Sequence, residues 1–119
     1  MRFPQFRVDR LRPDLVLIGW LQPRPLSGRY KVRIVKSPGR APRVFVLDPP
    51  LLPGTPHLYR EGNLCLYWPA EWTWDDHVDI ATTILPWAAA WLLYYELWTE
   101  TDTWLGPSSP HSALEAKGA

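Results

Sequence analysis

Between Asp48 and Asp75 the chain carries Pro49, Pro50, Pro53, Gly54, Pro56, Gly62 and Pro69. Proline lacks the backbone N–H and clashes with a continuing helix, and glycine weakens either regular element. No long helix or central strand is expected to survive in residues 49–74, so regular structure must lie on either side. The stretch is nevertheless apolar, with Leu51, Leu52, Leu58, Tyr59, Leu64, Leu66, Tyr67 and Trp68. That content predicts a long loop packed onto a sheet rather than a disordered linker, and long packed loops in small domains are commonly functional.

Before the loop the hydrophobic period is two. Phe6 to Leu11 alternates, Asp14 to Gln22 is rich in Val, Ile, Leu and Trp, and Arg43 to Asp48 reads as a further strand. Arg29 to Lys36 alternates most cleanly, with Tyr30, Val32 and Ile34 on one face and Arg29, Lys31 and Arg33 on the other. Turns fall at Arg12-Pro13-Asp14, Pro23 to Gly28 and Ser37 to Pro42. Connections this short join antiparallel neighbours, so a four-strand meander is expected.

After the loop the period changes. Asp75 or Asp76 can cap a helix, with Asp79 in its first turn. Ile80, Ile84, Trp87, Trp91 and Tyr94 then follow a 3-4 spacing, flanked by a second stripe of Leu85, Ala88, Leu92 and Tyr95. Such a wide apolar face suits a helix lying on a sheet, running to about Trp98 and bent near Leu85 by Pro86. The fold class is therefore α+β: an antiparallel meander with one long C-terminal helix. Residues 1–106 are expected to form one domain, and the small, polar residues 107–119 a flexible tail.

Charge is unevenly spread. Residues 1–43 hold eleven Lys/Arg against two Asp/Glu, a net +9, and residues 44–119 hold two against ten, a net −8. The asymmetry can mark a binding surface or mutual attraction between the two halves in the fold. A nucleic-acid role, with Lys31 and Arg33 on phosphates, has only this asymmetry behind it; no binding motif accompanies it, and no nucleic-acid partner is expected. Ile80 to Tyr95 is uncharged, but as a helix it would span about 24 Å, short of a ~30 Å hydrocarbon core. No membrane span is expected. A lone cysteine excludes an internal disulfide, and Met1 to Gln5 lacks a signal-peptide core, so a reducing, cytoplasmic setting is the expectation.

The segment richest in chemistry is Thr55-Pro56-His57-Leu58-Tyr59-Arg60-Glu61-Gly62-Asn63-Leu64-Cys65-Leu66. It resembles the active-site segment of ubiquitin-conjugating enzymes, which runs His-Pro-Asn, a short loop, then Gly-x-Ile/Val-Cys-Leu. Pro56, Gly62, Cys65 and Leu66 match at family spacing, with Leu64 for the Ile/Val and Trp72 at about the distance of the tryptophan after the family cysteine. Thr55 stands where the family has histidine, and His57 where it has asparagine. A narrower resemblance is to the bacterial conjugating-enzyme-like proteins of cyclic-oligonucleotide-based antiphage (CBASS) operons. It is carried by His57-Leu58-Tyr59, Gly62, Leu64 to Tyr67, Trp72, Ile84 to Trp87, Trp91-Leu92, Tyr95-Glu96 and Trp98, with Gly19 to Pro23 and Tyr30 to Ile34 upstream.

The resemblance implies a reduced ubiquitin-conjugating fold and a cysteine-dependent acyl transferase. Cys65 would form a thioester and His57 would support the loop or stabilise the oxyanion. Pro56, Tyr59, Gly62, Asn63, Trp72 and Asp76 would form the supporting loop. The implied partners are a cGAS-like nucleotidyltransferase, reached through its C-terminus, and a ubiquitin-activating-like enzyme where one exists. No cofactor is implied. Thiol chemistry suits such a carrier: thiolates attack readily and leave readily when an amine arrives, and the oxyanion formed needs a fixed donor, which His57, Asn63 or a loop amide could supply.

Plainer readings stand beside this one. A cysteine between two leucines can be a small buried hydrophobe. His57 can be structural, Tyr59 and Trp72 loop packing, and Asp75 and Asp76 caps. The spacing of His57, Cys65, His77 and His111 fits no zinc pattern. A protease dyad of Cys65 with His57 or His77 lacks a helix N-terminus or glycine-rich oxyanion segment after the cysteine. The rival function is a non-catalytic binding module of the same fold that stabilises or regulates the nucleotidyltransferase.

Overall fold

In the computed structural model of the chain, residues 6–66 and 80–106 are described. The elements are β1 (Arg7–Arg10), β2 (Leu15–Leu21), β3 (Tyr30–Lys36), β4 (Arg43–Asp48) and helix α1 (Ile80–Thr101). The strands form one antiparallel sheet in the order β1-β2-β3-β4, the expected meander. The class is α+β, with one helical layer on one sheet.

Alternation in β3 decides which face is covered. Tyr30, Val32 and Ile34 are 8%, 0% and 0% exposed, whereas Lys31 and Arg33 are half-exposed. The buried set meets Leu21, Val44 and Leu64, and from the helix Ile84, Leu85, Ala88, Trp91, Leu92 and Tyr95. Both predicted helical stripes contribute, but the deep part is the second one together with Ile84 and Trp91; Ile80, Trp87 and Tyr94 sit at the flanks. β1 is exposed throughout and its register shifts between Val8 and Arg10, as suits an edge strand carrying a bulge.

The helix continues through Pro86. Proline there has no N–H to give the preceding turn, a defect of about 3 kcal/mol in a helix interior. The burial of Ile84, Leu85, Ala88 and Leu92 around it outweighs that defect. The helix also outlasts Trp98 and runs to Thr101, with the Thr99 and Thr101 hydroxyls donating back to the Glu96 and Leu97 carbonyls at 2.7 and 2.8 Å. It stops at Asp102, whose φ of 60° reverses the chain while its N–H donates to the Trp98 carbonyl at 2.7 Å. Residues 103–106 then fold back along the helix. Gly106 lies so close to the Tyr94 ring that an added Cβ would meet it at 2.5 Å.

The expected capping residues Asp75 and Asp76, and Asp79 of the expected first turn, lie outside the described residues. Among the described residues no helix is long and apolar enough to cross a membrane.

Candidate functional site

The proline-rich loop is more ordered than its composition predicts. Residues 57–65 form a small hairpin, with Leu58 bridged antiparallel to Leu64. The Tyr59 N–H donates to the Asn63 carbonyl and the Gly62 N–H to the Tyr59 carbonyl, both at 2.9 Å. This is a three-residue hairpin turn closed by a glycine bulge, and Gly62 takes the required left-handed conformation at φ 95°. The hairpin forms here because residues 57–65 are free of proline, while Gly62 supplies the turn.

Two further bonds place the hairpin on the domain. The Leu64 N–H donates to the Val44 carbonyl of β4 at 2.9 Å, and Leu64 itself is 3% exposed within the core. At the turn, Glu61 pairs with Arg43 of β4 at 2.9 Å and with Arg40 at 3.8 Å. The outer pair is exposed and worth little; the Arg43 contact, with a side chain only 19% exposed, is the firmer tether.

Cys65 closes the base of the hairpin. Its N–H donates to the His57 carbonyl at 3.0 Å, directly across from it. The same carbonyl accepts the indole N–H of Trp91, from the middle of α1, at 3.2 Å. One oxygen therefore ties the cysteine segment to the buried face of the helix. Cys65 is half-exposed and in no disulfide, outside the core that Leu64 enters.

His57 occupies the left-handed region, at φ 60°. Histidine, asparagine and aspartate are the side chains most tolerated there. A histidine here thus meets a backbone requirement whatever its side chain does. The ring lies against Trp104, with centroids 4.6 Å apart, and Trp104 in turn packs on Trp91 and Tyr94 at 5.3 and 6.1 Å. The reversal at Asp102 is what brings Trp104 back to this position.

Asn63 is 9% exposed, and its Oδ1 has no hydrogen-bond partner. Period-two alternation sets it, with Cys65, on the side of the hairpin strand opposite Leu64. Sealing an acceptor without a partner costs about 1–3 kcal/mol.

The structure thus collects Pro56, His57, Tyr59, Gly62, Asn63 and Cys65 in one hairpin and its approach. Trp72 and Asp76 lie outside the described residues, as do His77 and His111. Among the described residues no three His, Cys, Asp or Glu side chains come together as a metal site.

Three contributors escaped the sequence reading: Trp91 as the donor to His57, Trp104 as the partner of its ring, and Glu96. Trp104 carried a signal, as a lone large aromatic among threonines, aspartate and glycine after the helix. Glu96 accepts from Arg24 Nη2 at 2.9 Å, Ser27 Oγ at 2.7 Å and Tyr30 Oη at 2.8 Å, joining the helix to the β2–β3 connection. Burial by itself would raise its pKa, but the bonds from Ser27, Tyr30 and Arg24 prevail and hold it below the usual carboxylate value. The Tyr30 hydroxyl is pushed far up, by burial first and then by its bond to Glu96. Tyr95 completes this side by accepting the Leu52 N–H at 3.1 Å, which fastens the start of the proline-rich loop.

A family model for Type II CBASS E2 proteins matches residues 1–112, nearly the whole chain. The chain belongs to that family. A comparison with curated proteins finds no match. Membership in the E2-CBASS family makes this an E2-like protein of a CBASS system, in line with the resemblance drawn from the cysteine segment. The match covers all the described elements, from β1 to the Trp104 turn, and both segments that flank the helix.

Proposed function

We propose that this E2-CBASS protein is a cysteine-dependent acyl transferase of reduced ubiquitin-conjugating fold, with residues 1–106 as its working domain and Cys65 as the acyl-carrying residue. The observation that carries the reading is the contrast between Leu64 and Cys65. Leu64 is packed into the core, whereas its neighbour, the only cysteine, is half-exposed at the end of a hairpin anchored through His57 to Trp91. A cysteine serving as a small hydrophobe would be inside with the leucine.

In the proposed reaction the Cys65 thiolate attacks the carbonyl carbon of an activated C-terminal acyl group. A C–S bond forms, the activating group departs with its electron pair, and the thiol proton passes to solvent. The acyl group is that of the cGAS-like nucleotidyltransferase C-terminus, activated with ATP by a ubiquitin-activating-like enzyme. In the second step an amine attacks the thioester, a C–N bond forms and the Cys65 thiolate leaves. His57 supports the loop through its carbonyl. Asn63, whose Nδ2 is the kind of donor an oxyanion needs, is the candidate to meet it.

The test is intact-mass spectrometry under non-reducing conditions after incubation with the nucleotidyltransferase, a ubiquitin-activating-like enzyme and ATP. The wild type is expected to gain a mass equal to the partner less water, removed by dithiothreitol. Cys65→Ser should trap an ester that resists dithiothreitol, and Cys65→Ala should gain nothing. Full antiphage activity in Cys65→Ala, with no adduct on the wild type, would sink the enzymatic reading and leave the binding-module reading.

A further inference from the structure

The helix covers one face of the sheet, and the other face has a different character. Cross-strand register sets Arg10, Val16, Val35 and Arg43 in one row and Arg7, Ile18, Arg33 and Phe45 in the next, with Trp20, Lys31 and Asp48 in a third beyond them. Directly opposed residues share a face. None of these eleven side chains joins the core cluster formed with α1. Ile18, Trp20, Lys31, Arg33, Val35 and Phe45 are all half-exposed.

The face is basic, and its charge is largely uncommitted. Arg7 pairs with Asp9 and Arg43 with Glu61. Among the described residues no carboxylate pairs with Arg10, Lys31 or Arg33, nor with Arg29, which leads into β3. Two of these cations are already shaped by aromatic rings. The Arg33 guanidinium lies over Phe45 at 5.0 Å, and that of Arg29 over Trp20 at 5.5 Å. The Arg33 Nε is sealed without a hydrogen-bond partner. A guanidinium held over a ring presents its fork to a carboxylate at little further entropic cost.

We propose that this second face of the sheet is a docking surface for an acidic patch on a protein partner. The charge calls for an anionic occupant. The mix of arginine, tryptophan, phenylalanine and branched aliphatics, with lysine nearly absent, is that of a protein-binding surface. Nucleic acid is the less suitable occupant, because the two rings on which bases would stack are covered by Arg29 and Arg33. The surface borders the Cys65 hairpin at Arg43, which pairs with Glu61 at the turn, while Leu64 joins the hairpin to the core side. Docking here would leave Cys65 open while raising its encounter rate with a bound partner. The identity of the partner rests on the reading above, in which it is the nucleotidyltransferase.

The experiment measures non-covalent affinity for that synthase by titration calorimetry at low and high salt, with Cys65→Ala as the background so that no adduct forms. Lys31→Glu and Arg33→Glu are expected to weaken binding by about tenfold or more each, and added salt to weaken the parent protein most. Lys31 makes neither of the two guanidinium–ring contacts, so Lys31→Glu keeps the test valid if Arg33→Glu disturbs Phe45. If the Cys65→Ala background binds with unchanged affinity in both charge variants, the docking face is refuted while the thioester reading stands. If wild-type protein forms the adduct but the background shows no binding at all, the docking face is likewise refuted. If neither adduct nor binding is seen, the thioester reading falls with it. A single-stranded 20-mer bound more tightly than the synthase, and lost in Lys31→Glu, would overturn the proposal in favour of nucleic acid.

Discussion

The indole N–H of Trp91 reaches the backbone carbonyl of His57 across 3.2 Å, and that carbonyl also holds the Cys65 N–H. A core residue of the helix therefore sets the position of a half-exposed cysteine. Trp91→Phe keeps most of the ring and removes the donor. It should lower stability by about 1 kcal/mol, the net worth of one hydrogen bond, read from the midpoint of urea unfolding. Its larger effect should fall on the hairpin, seen as faster reaction of Cys65 with a disulfide reagent under native conditions. An unchanged thiol rate would show that the Val44–Leu64 and Arg43–Glu61 contacts alone position the cysteine.

His57 combines a left-handed backbone with a ring on Trp104. Substitutions can separate the two. His57→Asn retains a residue suited to φ 60° and loses an aromatic contact worth about 0.5–1.5 kcal/mol. His57→Val forces a β-branched side chain into that region, and should cost at least a further 1–2 kcal/mol. If the role of His57 is to hold the loop, His57→Asn should form adduct nearly as the wild type does, and His57→Val should not. Loss of adduct in His57→Asn, with stability intact, would instead assign chemistry to the imidazole.

Much of this molecule was legible from its sequence, for physical reasons that also explain the gaps. The alternation of Tyr30, Val32 and Ile34 reports a sheet buried on one side, so strand order and inward face followed directly. The helix was legible for the same reason, although its last residues, Thr99 to Thr101, include no apolar side chain and so carry no periodic signal. At the site, Gly62 and Cys65 were legible through spacing. The hairpin they bracket was not, because proline density masks a short stretch free of proline. Trp91, Trp104 and Glu96 act across 34, 47 and 66–72 residues of chain, and no local pattern announces such meetings.

Glu96 makes the acid limb of stability predictable. Its pKa is lowered in the folded state, where Ser27, Tyr30 and Arg24 outweigh the effect of burial. A lowered carboxylate contributes stability that is fully present above its unfolded value of 4.5 and is lost as pH falls through the folded value. The difference in Tm between wild type and Glu96→Gln should therefore be constant from pH 6 to 8 and shrink below about pH 4.5. Tyr30 gives the opposite limb: its raised pKa contributes stability present below its ordinary value of 10.0 and lost above it. Tyr30→Phe should flatten that alkaline decline. A Tm gap for Glu96→Gln that does not change with pH would mean the carboxylate acts only through packing.

Asn63 is the residue whose place in the fold is hardest to justify by stability alone. A buried amide with an unpartnered Oδ1 weakens a domain by about 1–3 kcal/mol relative to a satisfied site. Leucine has nearly the same shape and no polar atoms to bury. Asn63→Leu is therefore expected to leave the unfolding midpoint unchanged or raise it. If the amide is retained for the reaction at Cys65, the same variant should still load the cysteine but discharge the thioester to an amine at least about tenfold more slowly, the loss usual for an oxyanion donor being larger still. Asn63→Asp provides the sign: a carboxylate beside a developing oxyanion should discharge more slowly than leucine, with the deficit easing as pH falls and the aspartate becomes protonated. Single-turnover discharge of preloaded protein, followed by gel under non-reducing conditions across pH 5 to 8, measures both. Equal discharge rates in the wild type, Asn63→Leu and Asn63→Asp would remove Asn63 from the chemistry and leave its buried amide without a function.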